Sequence, residues 1–482
     1  MELPLQCTPS MTFEECELAI LRHAVHENEK IQQEKVVNSE EIRAMVVIVE
    51  SYLARKKLLC YGGVAINNLL PDKAQFYDRR KEIPDYDFFS SRALEDAKEL
   101  ADAYFSAGYA NVEAKSGLHH GTYKVYVNFI HMADITQIHP ELFRVLSKES
   151  IAIDGIRSVP PDFLRMSMYM ELSRPQGNLS RWEKVFHRLA LLNKYYPMNK
   201  GVKCKSVRTK AVSVEILNQT KDVLVELDAV FFGGFTNSVF APFLSSGKKR
   251  MMETYSDFEV LYEDPLRGAH LLLERLEPLN LDLKIVDGFD GILPDRVEVR
   301  LSKELLVTFY KPLSCHNYNL VQVESQQSIR VATIDTILSF YLAFMFTRRN
   351  EDRNRYVCTA RFLYELLNDR QRANDRQRAN DRQRTNDRQR ANDRQRANDR
   401  QRANDRQRVR VMKPDALQRF TPLCYGKQET PESIRARKAA KFSELKLQPH
   451  LSREYQEWFL YYNPERKTRR CIPRTRKTAR IN

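Results

Sequence analysis

Long hydrophobic stretches are missing from this 482-residue chain. The most apolar window, Ile334–Phe346, is shorter than the roughly 20 residues that a membrane-spanning helix needs, and it begins beside Asp335. The N-terminal residues, MELPLQCTPS, lack the basic region followed by an apolar core that marks a secretory leader. The sequence therefore predicts a soluble protein and argues against a membrane enzyme.

Closely spaced cysteines are also missing. The 8 cysteines are scattered along the chain, and no two of them form a CxxC pair. Scattered cysteines of this kind are typical of proteins from a reducing, cytosol-like compartment. We therefore expect reduced thiols.

Most of the chain has no excess of positive charge, although the formal net charge of the whole chain is +15. Segment Asn368–Arg408 carries 14 Arg and 7 Asp, and the tail Arg466–Asn482 carries 8 Lys and Arg with no acid. These two segments account for the whole excess, so the remaining chain is formally neutral. The basic composition cannot by itself indicate a basic catalytic groove.

The stretch Leu58–Ser90 organises what is present. An apolar run ends at Gly62-Gly63, and Asp85 and Asp87 follow inside a second apolar run. Residues i and i+2 of a strand project from the same face, so the two carboxylates stand side by side. Such a pair repels unless a cation lies between its members. Mg²⁺ is held by one or two carboxylates together with substrate phosphates, which a glycine turn at a helix N-terminus can bind.

A third carboxylate follows on the predicted strand Ile130–Ile138, where apolar residues surround Asp134. Together with Asp85 and Asp87 it completes the ligands of a two-metal site, in which two ions about 4 Å apart clamp the attacking and leaving oxygens at phosphorus. Taken alone, Asp134 would be better interpreted as a strand-end aspartate that a turn takes up. The carboxylate pair favours the metal interpretation.

These motifs resemble the nucleotidyltransferase superfamily that includes DNA polymerase beta, an α+β fold. More closely, five segments resemble the poly(A) polymerase catalytic subunit of large cytoplasmic DNA viruses, the group of poxviruses, African swine fever virus and giant amoebal viruses. The segments are YGGVAINNLLP, IPDYDFFS, GTYKVYVNF, VPPDFLRMSMYMELSRPQGNLSRWEKVFHRL and RFTPLCYGKQ. The resemblance covers about Ser39–Leu367 and Arg419–Leu447.

The resemblance implies addition of AMP from ATP to an RNA 3′ end, dependent on Mg²⁺ or Mn²⁺. By motif position, Gly62 and Gly63 approach the triphosphate, while Asp85, Asp87 and Asp134 hold the metals. The family implies either a homodimer or a second, methyltransferase-like processivity subunit as partner, and nothing in the sequence chooses between them. It also implies work in the host cytoplasm at the viral factory, with packaging in the virion as a further option.

Basic residues mark one face of the predicted helix Asn178–Tyr196, which Ser180 would cap, as Ser90 would cap the predicted helix Arg92–Ala107. Arg181, Lys184 and Arg188 recur at helical spacing beside an apolar stripe. Arg181 and Lys184 are candidates for binding the nucleotide triphosphate. A solvated basic face is an equally good interpretation.

The pattern of Leu58–Ser90, two glycines followed by an acidic pair, recurs near Gly233. Two glycines again follow an apolar run, and Asp257 and Glu259 again lie at i and i+2. Asp134 lies 49 positions after Asp85, and the same offset from Asp257 reaches Leu306, inside a strand without a central carboxylate. The sequence predicts a duplicated domain whose second copy kept the fold and lost its third ligand. The family resemblance agrees, because it implies a second, inactive copy of the kind that poxvirus members carry. A second metal site on Asp257 and Glu259 is the alternative.

The remaining sequence predicts appendages. Seven copies of NDRQR-x fill Asn368–Arg408, with no apolar residue larger than Ala, and predict a disordered insertion. The repeats either bind RNA or are a tolerated surface insertion, while the tail is typical of an RNA-phosphate contact. The predicted domains are 1–57 helical, 58–150 catalytic, 151–200 completing the nucleotide site, 201–367 degenerate, 368–408 repeats, 409–465 loop and helices, and 466–482 basic tail.

Other functions remain open at this point. The glycine and aspartate motifs are equally compatible with uridylylation, CCA addition or nucleotidylation of a small molecule, and only the longer resemblance selects ATP and RNA. A non-catalytic RNA-binding scaffold is the third hypothesis, against which the intact carboxylate trio argues.

Overall fold

The computed structural model describes residues 39–78, 83–198, 204, 212–240, 257–288, 296–322, 328–347, 356–367, 418–450 and 452–465. The hexapeptide repeats, the basic tail and the first predicted helix lie outside these residues. The chain divides into two compact units, Met1–Leu164 with Thr430–Asn482, and Arg165–Glu429. The domain boundaries proposed from the sequence remain predictions.

The first unit contains one eight-stranded sheet with the order β16-β3-β4-β5-β2-β1-β7-β6. Strands β2 and β5 are parallel, as are β1 and β7, and the other neighbours are antiparallel. Its strands are β1 Leu59–Tyr61, β2 Tyr86–Ser90, β3 Val112–Ser116, β4 Thr122–Val127, β5 Ile130–Gln137, β6 Ile151–Ile153, β7 Ile156–Ser158 and β16 Tyr461–Tyr462. Its helices are Glu40–Lys56, Gly62–Leu69, Ala93–Ser106, Pro140–Lys148, Pro431–Leu445 and Arg453–Phe459.

The second unit contains another eight-stranded sheet, with the order β10-β11-β12-β9-β8-β14-β13-β15. Its strands are β8 Val230–Phe231, β9 Phe258–Leu261, β10 Leu283–Asp287, β11 Arg296–Leu301, β12 Glu304–Tyr310, β13 His316–Gln322, β14 Ser328–Ala332 and β15 Cys424–Tyr425. Its helices are Trp182–Tyr195, Val214–Glu226, Gly234–Phe240, Pro265–Leu276, Ile334–Thr347 and 356–367. Helix Pro161–Leu172 lies in the chain where the first unit gives way to the second.

Seven strands of each sheet repeat one topology. The order β3-β4-β5-β2-β1-β7-β6 corresponds to β10-β11-β12-β9-β8-β14-β13, and every neighbouring pair keeps its parallel or antiparallel sense. Even the register shift between Val125 and Tyr126 recurs between Val299 and Arg300. The two sheets are therefore copies of one fold.

Local sequence explains how the first unit starts. The Ser39 side chain accepts a hydrogen bond from the Ile42 N–H, which caps helix Glu40–Lys56, and Lys57 ends it in a left-handed conformation. Along β4, Tyr123, Val125 and Val127 are buried while their neighbours are half-exposed, the alternation expected of a strand with one covered face. Helix Ala93–Ser106 packs against β3, β4 and β5 and covers that face.

Two predicted caps are wrong. Helix Ala93–Ser106 has no side-chain cap. The Ser90 hydroxyl instead accepts a hydrogen bond from the Arg92 N–H and donates one to the Asp96 carboxylate. Helix Trp182–Tyr195 follows a short 3₁₀ turn, and the Ser180 hydroxyl donates to Asn178. Hydroxyl side chains bind nearby backbone and side-chain groups as readily as helix ends, so sequence spacing alone misplaced both caps.

The most apolar helix, Ile334–Thr347, is a core element. Almost all of its side chains are buried, including Asp335, which pairs with Arg419. Among the helices that the structure describes, none combines the length and apolar character needed to cross a bilayer.

Among the described residues, four cysteines are paired, which makes the prediction of reduced thiols wrong for them. Disulfides join Cys204 to Cys358 and Cys315 to Cys424, with Cα–Cα distances of 5.7 and 5.2 Å. The partners lie 154 and 109 residues apart, so no local spacing pattern could have revealed them. Within the described part of the chain, Cys60 is a buried cysteine outside these two disulfides.

Candidate active site

Strand pairing brings the three predicted aspartates together. On parallel neighbours β2 and β5, Asp87 lies directly opposite Asp134, and on β1 Tyr61 lies opposite Asp87. Asp85 precedes Asp87 by two residues, and its side chain reaches the same neighbour, His131, as that of Asp134. On the other side of β2, Tyr86 and Phe88 are fully buried. The core thus fixes one face of the strand and leaves the acidic face toward solvent.

Gly62 lies against this acidic face. It begins helix Gly62–Leu69 with a φ of 71°, a conformation that a residue with a side chain rarely adopts. A methyl group at this position would also collide with the Asp87 carboxylate. Both constraints require glycine, and the helix N-terminus that follows offers backbone N–H groups to an anion beside the carboxylates.

Two cations that the sequence analysis did not single out balance the aspartates. The Lys124 ammonium lies 2.6 Å from the Asp134 carboxylate, and the His131 ring nitrogens lie 2.6 Å from Asp134 and 3.2 Å from Asp85. His131 therefore bridges two carboxylates. The sequence carried only weak indications of these two residues. Lys124 faces Asp134 across the β4–β5 pair, and His131 precedes Asp134 by three residues at the bulge, so both contacts depend on the strand register.

Burial and charge shift the acidity of these groups in opposite directions. Burial, with the neighbouring Asp85 and Asp134 charges, raises the pKa of Asp87 to about 7. Burial also opposes ionisation of Asp134, yet hydrogen bonds from His131 and Lys124 hold its pKa below the usual value. Burial works against the charged imidazole too, but hydrogen bonds to Asp134 and Asp85 raise the pKa of His131 to about 9. The three aspartates therefore form a negatively charged centre that favours bound cations.

The carboxylates suit a divalent metal by their chemistry. All three supply oxygen, the donor that Mg²⁺ prefers. Burial and then the charges of Asp85 and Asp134 raise the pKa of Asp87, and a further cation would offset both effects. Over the described ranges of the chain, no three acidic, His or Cys side chains already have the arrangement of a metal centre. In this structure His131 and Lys124 supply the compensating charge.

The other predicted nucleotide ligands belong to the second unit. Arg181 ends the 3₁₀ turn before helix Trp182–Tyr195 and pairs with Glu171 at 3.1 Å, while Lys184 is an exposed residue of that helix. Their role in binding the triphosphate stays a prediction.

The second sheet holds the counterpart of the site. By strand register, Glu259 corresponds to Asp87, Asp257 to Asp85, and Thr308, opposite Glu259, to Asp134. The position inferred from sequence offset, Leu306, is wrong by two residues, since the segments joining the equivalent strands differ in length. The central prediction holds nevertheless, because Thr308 is not a carboxylate.

The surroundings of this counterpart differ from those of the first site. Asp257 and Glu259 are each 2% exposed, and Glu259 accepts a hydrogen bond of 3.0 Å from the Tyr341 hydroxyl. The place of Lys124 is taken by Glu298, and register puts Leu305 in the place of His131. A buried acidic pair without these two cations is a poor receptor for a hydrated ion.

The comparisons with known proteins agree with this geometry. Residues 47–178, which contain Gly62 and all three aspartates, match the family model of the poly(A) polymerase catalytic subunit. A protein assigned as that subunit in African swine fever virus is 31% identical over 174 residues, covering 35% of this chain and 36% of the relative. One from Acanthamoeba polyphaga mimivirus is 30% identical over 162 residues, covering 33% and 27%. The match thus spans about a third of these relatives' length.

A solved structure agrees over a longer range. The crystal structure of the Megavirus polyadenylate synthase superposes with a TM-score of 0.72, at 18% identity, covering 97% of this chain and 89% of that one. The chain therefore has a nucleotidyltransferase-type α+β fold.

Proposed function

We propose that this chain adds AMP from ATP to an RNA 3′ end without a template. One observation carries the proposal above the others: Asp87 and Asp134 are direct neighbours on parallel strands beside the Gly62 turn, whereas the second copy of the fold has Thr308 instead of the third carboxylate. The matches to poly(A) polymerase catalytic subunits support ATP and RNA as the substrates.

In this proposal each residue has a stated task. Asp85, Asp87 and Asp134 would hold the divalent ions, which would supply Lewis acidity toward the RNA 3′ hydroxyl and the leaving pyrophosphate. The N–H groups that follow Gly62 bind a phosphate oxygen of ATP. Asp134 accepts the proton of the hydroxyl as general base, and its lowered pKa keeps it ionised at neutral pH.

Lys124 and His131 hold Asp134 in place before substrates arrive. Their hydrogen bonds to its two oxygens orient the carboxylate and limit the repulsion within the trio. Divalent ions held by the trio would supply positive charge to the same carboxylate that Lys124 and His131 contact here.

Primer extension by the purified chain tests the proposal. A labelled oligonucleotide is incubated with Mg²⁺ and each of the four nucleoside triphosphates in turn. We expect ATP to be incorporated in preference to the others, and chelation of the metal to stop the reaction. Incorporation of UTP or CTP instead would move the chain to another class of RNA 3′ nucleotidyltransferase, and extension that survives chelation would refute the two-metal assignment.

The partner and location are part of the same proposal. Activity of the purified chain alone, together with its mass in solution, separates a homodimer from dependence on a processivity subunit of the methyltransferase type. We propose the host cytoplasm, at the viral factory, as the place of action. Imaging of the tagged chain in infected cells checks this, and a nuclear signal would contradict it.

A further inference from the structure

The turn between β4 and β5 exposes an aromatic ring at the proposed active site. Val127 pairs with Ile130, so Asn128 and Phe129 form a two-residue turn, with φ values of 49° and 66°. Positive φ at both positions is typical of a type I′ hairpin, where Gly is strongly preferred at the second. A phenylalanine there is an outlier, and its side chain is 84% exposed.

The turn lies at the same end of the sheet as the carboxylates. Asp85 comes just before β2, and β5 runs parallel to β2, so the start of β5 is at that end. By register Asp85 is level with Met132, and Phe129 lies three residues beyond, roughly 10 Å along the strand at about 3.3 Å per residue. His131, two residues from Phe129, touches both Asp85 and Asp134.

The position of the turn is held by its first residue. The Asn128 backbone N–H donates to the Asn111 carbonyl at 2.9 Å, and the Asn128 side chain donates to Glu41 at 2.8 Å. The backbone next to Phe129 is therefore held in place by these two hydrogen bonds. A rigid, solvent-exposed ring loses little conformational entropy when it stacks on a ligand.

The second copy of the fold provides an internal comparison. There Leu301 pairs with Glu304, and the turn is Ser302-Lys303, of which only Ser302 has a positive φ. The counterpart of Phe129 is thus an exposed lysine in an ordinary conformation. The hairpin itself needs no aromatic residue, and the ring occurs in the copy that carries the carboxylate trio.

We propose that Phe129 is a binding residue for RNA, on which an unpaired base close to the 3′ end stacks. The inference rests on the proposed function, because it places the 3′ hydroxyl at the carboxylates. A stacked strand advances roughly 3.4 Å per nucleotide. The ring lies roughly 10 Å along the strand from the level of Asp85 and roughly 16 Å from that of Asp134, so it meets one of the last few bases. Aromatic stacking accepts any base and is the usual means of holding single-stranded RNA.

Binding of a 5′-labelled oligo(A) to the full chain, measured by fluorescence anisotropy without ATP, tests the inference. We expect Phe129→Gly to weaken binding about tenfold, while Phe129→Tyr, which keeps the ring, stays close to the wild type. Leu447→Ala is the matched control, because Leu447 is another highly exposed apolar side chain of this unit, at 91%. An unchanged Kd for Phe129→Gly would overturn the inference.

Abasic oligonucleotides identify the contact. An abasic site moved through the 3′-terminal positions should weaken wild-type binding at one position by the same factor, and Phe129→Gly should lose nothing further there. Equal additional losses at every position would overturn the stacking contact. In steady state the KM for RNA should rise, and a rise in the KM for ATP alone would assign the ring to the incoming nucleotide and refute the inference.

Stability and activity complete the test. Glycine relieves the left-handed backbone, so Phe129→Gly should melt no lower than the wild type. A clearly lower melting temperature would show that the ring supports the fold and would overturn the inference. Failure of the wild-type chain to incorporate AMP would refute the proposed function, whereas the anisotropy measurement reads the ring–base contact without catalysis.

Discussion

The two sheets of this chain share a topology and differ in what surrounds their central acids. In the first, Asp134 is half-buried between Lys124 and His131, and Asp85 is largely exposed. In the second, Asp257 and Glu259 are almost fully buried, and Thr308 takes the third position. Burial and charge balance, rather than the presence of acids alone, distinguish a site fitted for cations.

Strand register makes this comparison possible. The glycine turn, the acidic pair and the bulge have kept their relative positions in both copies. Because pairing depends on backbone hydrogen bonds, the side chains that face the site can change without altering the sheet. The same fold can therefore exist with or without the residues of the proposed chemistry. Substitutions at equivalent positions of the two copies show which residues support activity and which support stability.

The largest expected effect comes from the central aspartate. Asp87→Asn keeps the shape and removes the charge, so AMP incorporation should fall at least about a thousandfold, since metal binding and transition-state stabilisation are lost together. Primer extension measures the change. Glu259→Gln, the equivalent substitution in the second copy, should leave incorporation nearly unchanged, and an equal loss in both variants would show that the second acidic pair takes part in the reaction.

Restoring the missing carboxylate should damage the second unit. Thr308 is fully buried beside Glu259, so Thr308→Asp adds a charge with no cation in the positions of Lys124 and His131. The free energy of unfolding should fall by about 3 kcal/mol. Denaturant titration measures it, and a variant that gained stability on addition of Mg²⁺ would instead reveal a dormant metal site.

The charge of Asp87 should also make stability depend on pH. Its folded pKa is about 7, against roughly 3.9 in an unfolded chain, so folding takes up a proton between these values. Above this window the ionised carboxylate lowers the free energy of unfolding, on the order of a few kcal/mol. In chelator, Asp87→Asn should therefore match the wild type near about pH 4 and exceed its stability near about pH 8. A stability difference that does not vary with pH would contradict the raised pKa.

Gly62→Ala should impair both folding and activity. The methyl group forces a left-handed conformation on alanine and meets the Asp87 carboxylate, so we expect a loss of about 2 kcal/mol in stability and a clear fall in AMP incorporation. Gly108→Ala is the control, because Gly108 has a φ of 100° and no atom within 4 Å of the added methyl group. That variant should lose stability only, and lost activity there would mean that backbone strain alone explains the Gly62 result.

The smallest effect concerns an unpaired hydroxyl. The Thr308 hydroxyl is buried and has no hydrogen-bond partner among the residues that the structure describes, so Thr308→Val should raise the free energy of unfolding by about 1 kcal/mol and leave activity unchanged. Thermal melting measures the gain. A loss of stability would indicate that the hydroxyl is hydrogen-bonded in solution, and the second site would then be more polar than its register suggests.

Part of this architecture could be read from local sequence. The acidic pair, the glycine turn and strand β5 depend on neighbours within a few residues, and each was predicted within one residue of its observed place. Longer-range features were harder. The offset from the first copy pointed to Leu306 instead of Thr308, because the segments between equivalent strands are free to differ in length while the strands keep their register.

The disulfide pairing was likewise beyond what local sequence could predict. The partners of both disulfides lie more than a hundred residues apart, so chain spacing carried no information about them. Their Cα atoms approach closely enough for bonding only once the second unit has folded.

By itself the sequence determined that two carboxylates share one strand face and that glycines precede them, since side-chain direction follows from residue spacing alone. The tertiary structure decided which residues meet them. Sheet pairing placed Asp134 opposite Asp87, Lys124 opposite Asp134, and the bridging His131 between Asp134 and Asp85. It also decided that the second acidic pair is buried, because exposure depends on what packs against a strand and not on the strand's own residues.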